Sequence, residues 1–271
     1  RQTLYMKGLS HLKNKQFTPL VMAMILASVT GNLFANKGLE IAILSDKNND
    51  DFIDSSSSMT MNLVNKRGEV VTRKLRFKRL EVPTDGDKSI AIFESPRDVK
   101  GVAILSYAHK VKADDQWLYL PALKRVKRIA SKNKSGPFLG SEFSFEDFSF
   151  QEVEKYDYVY LKEEIYQEKP CHVVERKPLD PYSGYTKQLV WIDKENYLVQ
   201  KIHHFDRKSF HLKTQLFKDY RKYEGFFWQP HEIEMINHQN GKRSILLFDD
   251  VKLKNGFTDR DFSQNSLKRS R

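Results

Sequence analysis

The residues that could do chemistry in this 271-residue chain stand at spacings that defeat it. Asp46, Asn48 and Asp50 open like a calcium loop, but its sixth position holds Asp51 where a sharp turn needs Gly. Its twelfth holds Ser57 where a bidentate Glu is needed, so the segment reads as a solvated acidic turn. His231-Glu232-Ile233-Glu234-Met235 starts as a zinc-protease helix would, yet its fifth residue is Met235 and the run alternates like a strand. His203, His204, His211 and His238 show no ligand spacing, and Cys171 sits in a strand-like run as an inert thiol. No nucleophile elbow, phosphate loop or dinucleotide fingerprint occurs. We therefore expect no catalytic residue, no metal and no cofactor.

Two segments invite binding. Lys124, Arg125, Lys127 and Arg128 make the densest basic cluster in a chain of formal net charge +11. Without a base-stacking module, an anionic membrane surface or acidic partner fits better than nucleic acid; a solvated hairpin tip is the bland reading. Residues 136–148 place Phe138, Leu139, Phe143, Phe145 and Phe148 on one connection with Gly136 and Gly140. Rings this dense must bury against something: an ordinary core, or a hollow over which they form a movable cover.

The elements that would hold these segments are strands. Gly38–Ser45 suits a short amphipathic helix, and 46–58 reads as a polar linker ending in a serine run. From Met59 onward short alternating runs follow one another, punctuated by Asp85-Gly86, Glu224-Gly225 and Asn240-Gly241 turns. No helical period intervenes, which excludes a parallel α/β fold. The expectation is one mainly β domain: an antiparallel sheet, sandwich or barrel of about eleven strands.

The first 35 residues read as an address. Arg1–Tyr5 precede Met6 as an upstream extension; Lys7, Lys13 and Lys15 lead into an apolar Phe17–Val29, and Ala35 ends a cleavage site. A membrane anchor is the rival, but Pro19, Thr30, Gly31 and Asn32 dilute the span. Asn36 rather than Cys follows Ala35, so no lipid-attachment signal is present. Residues 1–35 are thus expected as signal peptide and 36–271 as one exported, periplasmic domain.

Trp117-Leu-Tyr-Leu-Pro-Ala-Leu-Lys-Arg-Val-Lys-Arg-Ile129 and Ser135-Gly-Pro-Phe-Leu-Gly-Ser-Glu-Phe-Ser-Phe-Glu-Asp147 resemble the LolA-like outer-membrane lipoprotein-sorting proteins. Glu94–Gly101 and Asn265–Arg269 fit the same group. The resemblance implies an incompletely closed antiparallel β-barrel of about eleven strands, with helices over its open face and acyl chains between sheet and lid. It implies lipoprotein or lipid cargo and an inner-membrane transporter of the resistance-nodulation-division (RND) type or an outer-membrane acceptor as partner. The carrier arginine that latches the lid has Arg97 as its nearest counterpart. Combined with alternation, this reading lines the hollow with Phe93, Leu105, Trp117 and Tyr119 and covers it with Phe138, Phe143, Phe145 and Phe148. It makes the protein a monomeric carrier. The alternatives are a periplasmic adaptor or sensor with no lipid inside and, third, a lipid-acting enzyme.

Overall fold

The computed structural model describes residues 34–268; the predicted leader lies outside them except for Phe34 and Ala35, which open a helix over 34–46 (α1). Thirteen antiparallel strands follow in one sheet. They are β1 (Asp54–Val64), β2 (Val70–Leu80), β3 (Lys88–Ser95), β4 (Ala103–Tyr107), β5 (Asp115–Leu120) and β6 (Arg125–Arg128). After an irregular connection come β7 (Tyr156–Tyr166), β8 (Lys169–Pro178), β9 (Lys187–Asp193), β10 (Val199–Phe205), β11 (His211–Tyr223), β12 (Phe227–Asn237) and β13 (Arg243–Leu253). A short helix α2 (Gln264–Lys268) ends the described chain.

The spatial order is β6-β5-β4-β3-β2-β1-β13-β12-β11-β10-β9-β8-β7. Two meanders thus meet at one seam, where Ser55 pairs with Leu253 and Val64 with Arg243. The expectation of about eleven strands is corrected to thirteen, and the sheet does not close: β6 and β7 are its two edges. Each alternating run proves to be a separate strand, down to the four-residue β6.

The expected linker also shortens. Asp54–Ser58 belong to β1 because all five pair with β2, Leu80 to Arg76, and Ser55, Ser56 and Ser58 also pair with β13 across a bulge. Ladders on both sides override the weak strand preference of serine.

Alternation sorts the side chains into two faces, and both are covered. On the inner face Met59, Leu75, Phe93, Ile104, Leu118 and Phe248 pack with Phe138 and Phe143 of the 129–155 connection. Further along that face, Tyr158, Val174, Val190 and Ile202 receive Ile41 of α1. On the outer face Ile90, Ile92, Leu105 and Tyr119 pack under Phe262 and Leu267 of the C-terminal segment. Phe262 is fully buried, and its carbonyl accepts a hydrogen bond from the Tyr107 hydroxyl. Phe262→Ala should therefore remove about 3–5 kcal/mol of stability in urea unfolding. A loss below about 1 kcal/mol would show that the C-terminal segment is not a structural clamp.

Candidate functional site

Between the inner face and its cover lies a hollow in two adjoining compartments, of about 250 and 310 Å³. Ser45, Asn49, Arg79, Phe150, Val199 and Phe217 wall both. The first is the more apolar, with Met59, Phe77, Phe148, Trp228, Ile233 and Phe248 among its walls. Its floor includes Ser55, Ser56 and Ser57 of β1. Small side chains on a central strand leave room that Val or Leu would fill. Asp219 and Asp250 adopt positive φ of 50° and 52° on β11 and β13, and just beyond them Tyr220 and Val251 join the wall. Asp is among the residues that tolerate this conformation.

The cover has two parts, differently held. The aromatic connection is bolted down. The Arg73 Nη1 donates to the Leu139 carbonyl at 2.6 Å, Gln116 Nε2 to the Phe145 carbonyl at 2.7 Å, and the Glu142 amide to Ser244 Oγ at 2.9 Å. Phe138 and Phe143 are buried to 0% and 2% exposure, and the Phe138 ring packs tilted against Phe93 and Phe148 and edge-on to Phe145. The segment thus packs with the core around Phe93 while Phe143 and Phe148 also wall the hollow.

Helix α1 is held more lightly. It turns Gly38, Ile41, Ala42 and Ser45 inward and leaves Leu39, Ile43 and Leu44 exposed. Gly38 is required where the helix crosses β7: a Cβ there would stand 2.8 Å from the Tyr160 amide nitrogen. Among the described residues, no side-chain hydrogen bond joins 34–46 to the sheet; its contacts with β7 include Lys37 Nζ, 3.6 Å from the Tyr160 ring centre, and Phe34 stacked on the same ring, and the first hydrogen-bonded tether is Asn48 Nδ2 to the Asn196 carbonyl at 2.8 Å. An ordinary packing helix buries its large residues. This one buries Ile41 alone among its large residues, and the space beside Ala42 and Ser45 is part of the hollow.

The second compartment is polar. Asp46, Asp50, Glu81, Asp85, Asp87 and Glu152 line it, with Arg79, Lys110 and Arg176. Burial raises the Asp46 carboxyl to about 6, aided by Asp50, and raises Glu152 to about 7, aided by Asp87 and Asp46. Asp50 is raised by the same cause, helped by Glu81. Arg79 stands where the compartments meet. Its guanidinium bonds Asp87 at 2.6 and 2.9 Å and lies 4.3 Å from the Phe52 ring centre and 3.8 Å from that of Phe150.

The predicted site residues divide. Phe93 joins Phe138, Phe143, Phe145 and Phe148 in one inner cluster, with Phe143 and Phe148 reaching the apolar compartment. Leu105, Trp117 and Tyr119 lie on the outer face under Phe262 and cannot line the same hollow. The reason is register: Leu105 pairs with Trp117 and Ile104 with Leu118, so the pair beside Phe93 is Ile104 and Leu118. Arg97 is exposed in the turn between β3 and β4; the guanidinium groups that touch the cover include those of Arg73, Arg79 and Arg176. Lys124, Arg125, Lys127 and Arg128 form the exposed edge strand and its turn, with Arg128 bonded to Asp115. Sequence reasoning missed Ser55–Ser57, Ser45, Phe217 and Trp228; of these only the serine run had stood out.

The singled-out histidines gather as rings rather than ligands. His203, His211 and His238 stack with centroids 4.4 Å apart on the outer face. Burial and the neighbouring His211 push His203 down to about 4. Among the described residues no group of three His, Cys, Asp or Glu is placed to hold a metal, and no helix is long and apolar enough to cross a membrane. Cys171 is fully buried, and burial raises its thiol.

Known proteins share this architecture. An outer membrane lipoprotein-sorting protein domain from Vibrio parahaemolyticus is 49% identical over 87% of this chain and 100% of its own, with a TM-score of 0.85. A DUF1329 family protein from Desulfovibrio piger is 27% identical over 86% of this chain and 99% of its own, with a TM-score of 0.81. A LolA superfamily protein from Nitrosomonas europaea shares the fold at 20% identity and a TM-score of 0.67, over 84% of this chain and 97% of its own. No curated protein matches. A family model described only as an uncharacterized protein covers residues 85–269. With half its residues identical to the Vibrio domain along nearly the whole described chain, this chain belongs to the LolA-like outer-membrane lipoprotein-sorting protein family.

Proposed function

We propose that the protein is a periplasmic carrier that holds the acyl part of a lipid or lipoprotein in the hollow beneath α1, and is not an enzyme. The observation that carries the reading is the inward face of α1: past the buried Ile41, it sets the small Ala42 and Ser45 against the hollow, while Leu39, Ile43 and Leu44 face out. A helix serving only as core would be rotated the other way. Each methylene entering such a site gains about 0.8 kcal/mol. Release then needs a cover that yields. The weakly tethered α1 fills that role, while the bolted aromatic connection supplies Phe143, Phe148 and Phe150 as a fixed wall.

In this reading the leader of residues 1–35 directs export and is removed, and the domain from Asn36 works as a monomer. An inner-membrane transporter of the RND type loads it, or an outer-membrane acceptor unloads it. The edge formed by Lys124, Arg125, Lys127 and Arg128 docks on an anionic membrane surface or acidic partner, and its contribution weakens with salt. The latch between sheet and cover is assigned to Arg79, stacked on Phe150, in place of Arg97.

Two outcomes are expected. With Trp117 and Trp191 replaced by Phe, Trp228 fluorescence should shift as a long-chain acyl lipid saturates the protein. A variant keeping only Trp117, on the far face, should stay silent. Ser45→Leu, which puts a branched side chain between the compartments, should weaken acyl binding at least about tenfold while costing no more than about 1–3 kcal/mol of stability. Mass spectrometry of organic extracts from protein purified without detergent should find the cargo. A Trp228 signal flat to saturation, with extracts free of lipid, would sink the carrier and leave the adaptor.

A further inference from the structure

The polar compartment sets carboxylates of the cover against carboxylates of the rim. Asp46 ends α1, and Glu152 follows Phe150 on the aromatic connection. Facing them are Asp50 of the turn after α1 and Glu81, Asp85 and Asp87 of the loop between β2 and β3. The rim groups have partners. Asp87 bonds Arg79 at 2.6 Å, Asp85 bonds His109 Nδ1 at 2.6 Å, and Glu81 accepts the Asp51 and Ile53 amides at 2.8 and 2.9 Å. The cations within reach offset the gathered negative charge only in part: Arg79, paired with Asp87, favours the ionised Asp46, and Lys110 and the Asp87 amide favour the ionised Glu152, but burial and the neighbouring carboxylates outweigh them, while Arg176 bonds Gln188 and Gln151. Glu154, beside Glu152 in sequence, adds further negative charge near Asp46.

We propose that Asp46 and Glu152 act as a proton-operated catch on the cover: protonated, they let α1 close against the rim, and ionised, they repel Asp50 and Asp87 and loosen it. Same-sign groups brought together in a partly buried cavity from separate elements have few other consequences, because ionising one makes ionising the next harder. The raised proton affinities agree in sign. The closed cover binds more protons than the open one, so closure is strongest below the ordinary carboxylate range and is lost as pH rises through about 6 and about 7. Against the loosening stand the buried Ile41 and the Lys37 ammonium over the Tyr160 ring.

The proposal does not depend on the identity of any cargo, and its test uses none. Amide hydrogen exchange over 37–46, corrected for intrinsic rates, would be compared at pH 5.5 and pH 8 in the cargo-free protein. Protection of α1 should fall at least about tenfold at the higher pH, while β10–β13 stay protected. Asp46→Asn with Glu152→Gln, which keeps shape and removes charge, should hold α1 equally protected at both. The single Glu152→Gln should remove part of the difference. Undiminished pH dependence in the double variant, or none in the unaltered protein, would overturn the catch whether or not the hollow carries lipid.

Discussion

An open sheet has two faces to bury and no second sheet to bury them against. Everything distinctive about this molecule follows from how that constraint is met. Thirteen strands present an inner surface broader than either covering segment, so the cover is divided between the connection at 129–155 and α1. The outer surface of β3–β5 is left to the C-terminal segment through Phe262 and Leu267. Where covering segments meet imperfectly, a hollow remains.

The two inner covers differ in kind. The aromatic connection spends its polar backbone on Arg73, Gln116 and Ser244 and its rings on the core around Phe93, so it behaves as part of the sheet. Helix α1 contributes one large buried side chain and several small ones. Local opening is favoured where few apolar contacts hold a segment, which makes α1 the element able to move. The hollow therefore has one rigid wall and one soft one. Arg79, between Phe52 and Phe150, stands at the hinge between apolar and polar compartments.

Much of this was legible in the sequence. Turn signals at Glu224-Gly225 and Asn240-Gly241 bounded strands correctly, and Gly38–Ser45 was seen as helix. The aromatic connection was recognised as the unusual segment. What failed was the assignment of faces. In β3–β5 both faces are apolar, because both are covered, so alternation separates Trp117 from Leu118 without saying which of them looks toward Phe93. That choice depends on register between strands, which pattern alone does not fix when no polar face marks the outside. The serine run was misread for the opposite reason. Ser55–Ser58 lack the side chains that announce a strand, and their place in β1 comes from ladders supplied by segments far away in the chain. Contributors such as Trp228 and Phe217 gave no local signal, since a cavity wall is defined by what is missing opposite it.

The seam between β1 and β13 also dictates an order of assembly. Met59 lies beside Phe248 and Leu63 beside Ser244, so the central pairing of the sheet joins the first strand to the last. Each meander can form from neighbours in sequence, but the two cannot be zipped together until the final strand has left the ribosome. Such distant pairings make for slow folding. Until then β1 keeps an unpaired ladder and the apolar floor of the hollow stays open to water, so the immature chain is the form most in need of protection. A sheet built this way can close its central seam only once its last strand, β13, is available to pair with its first.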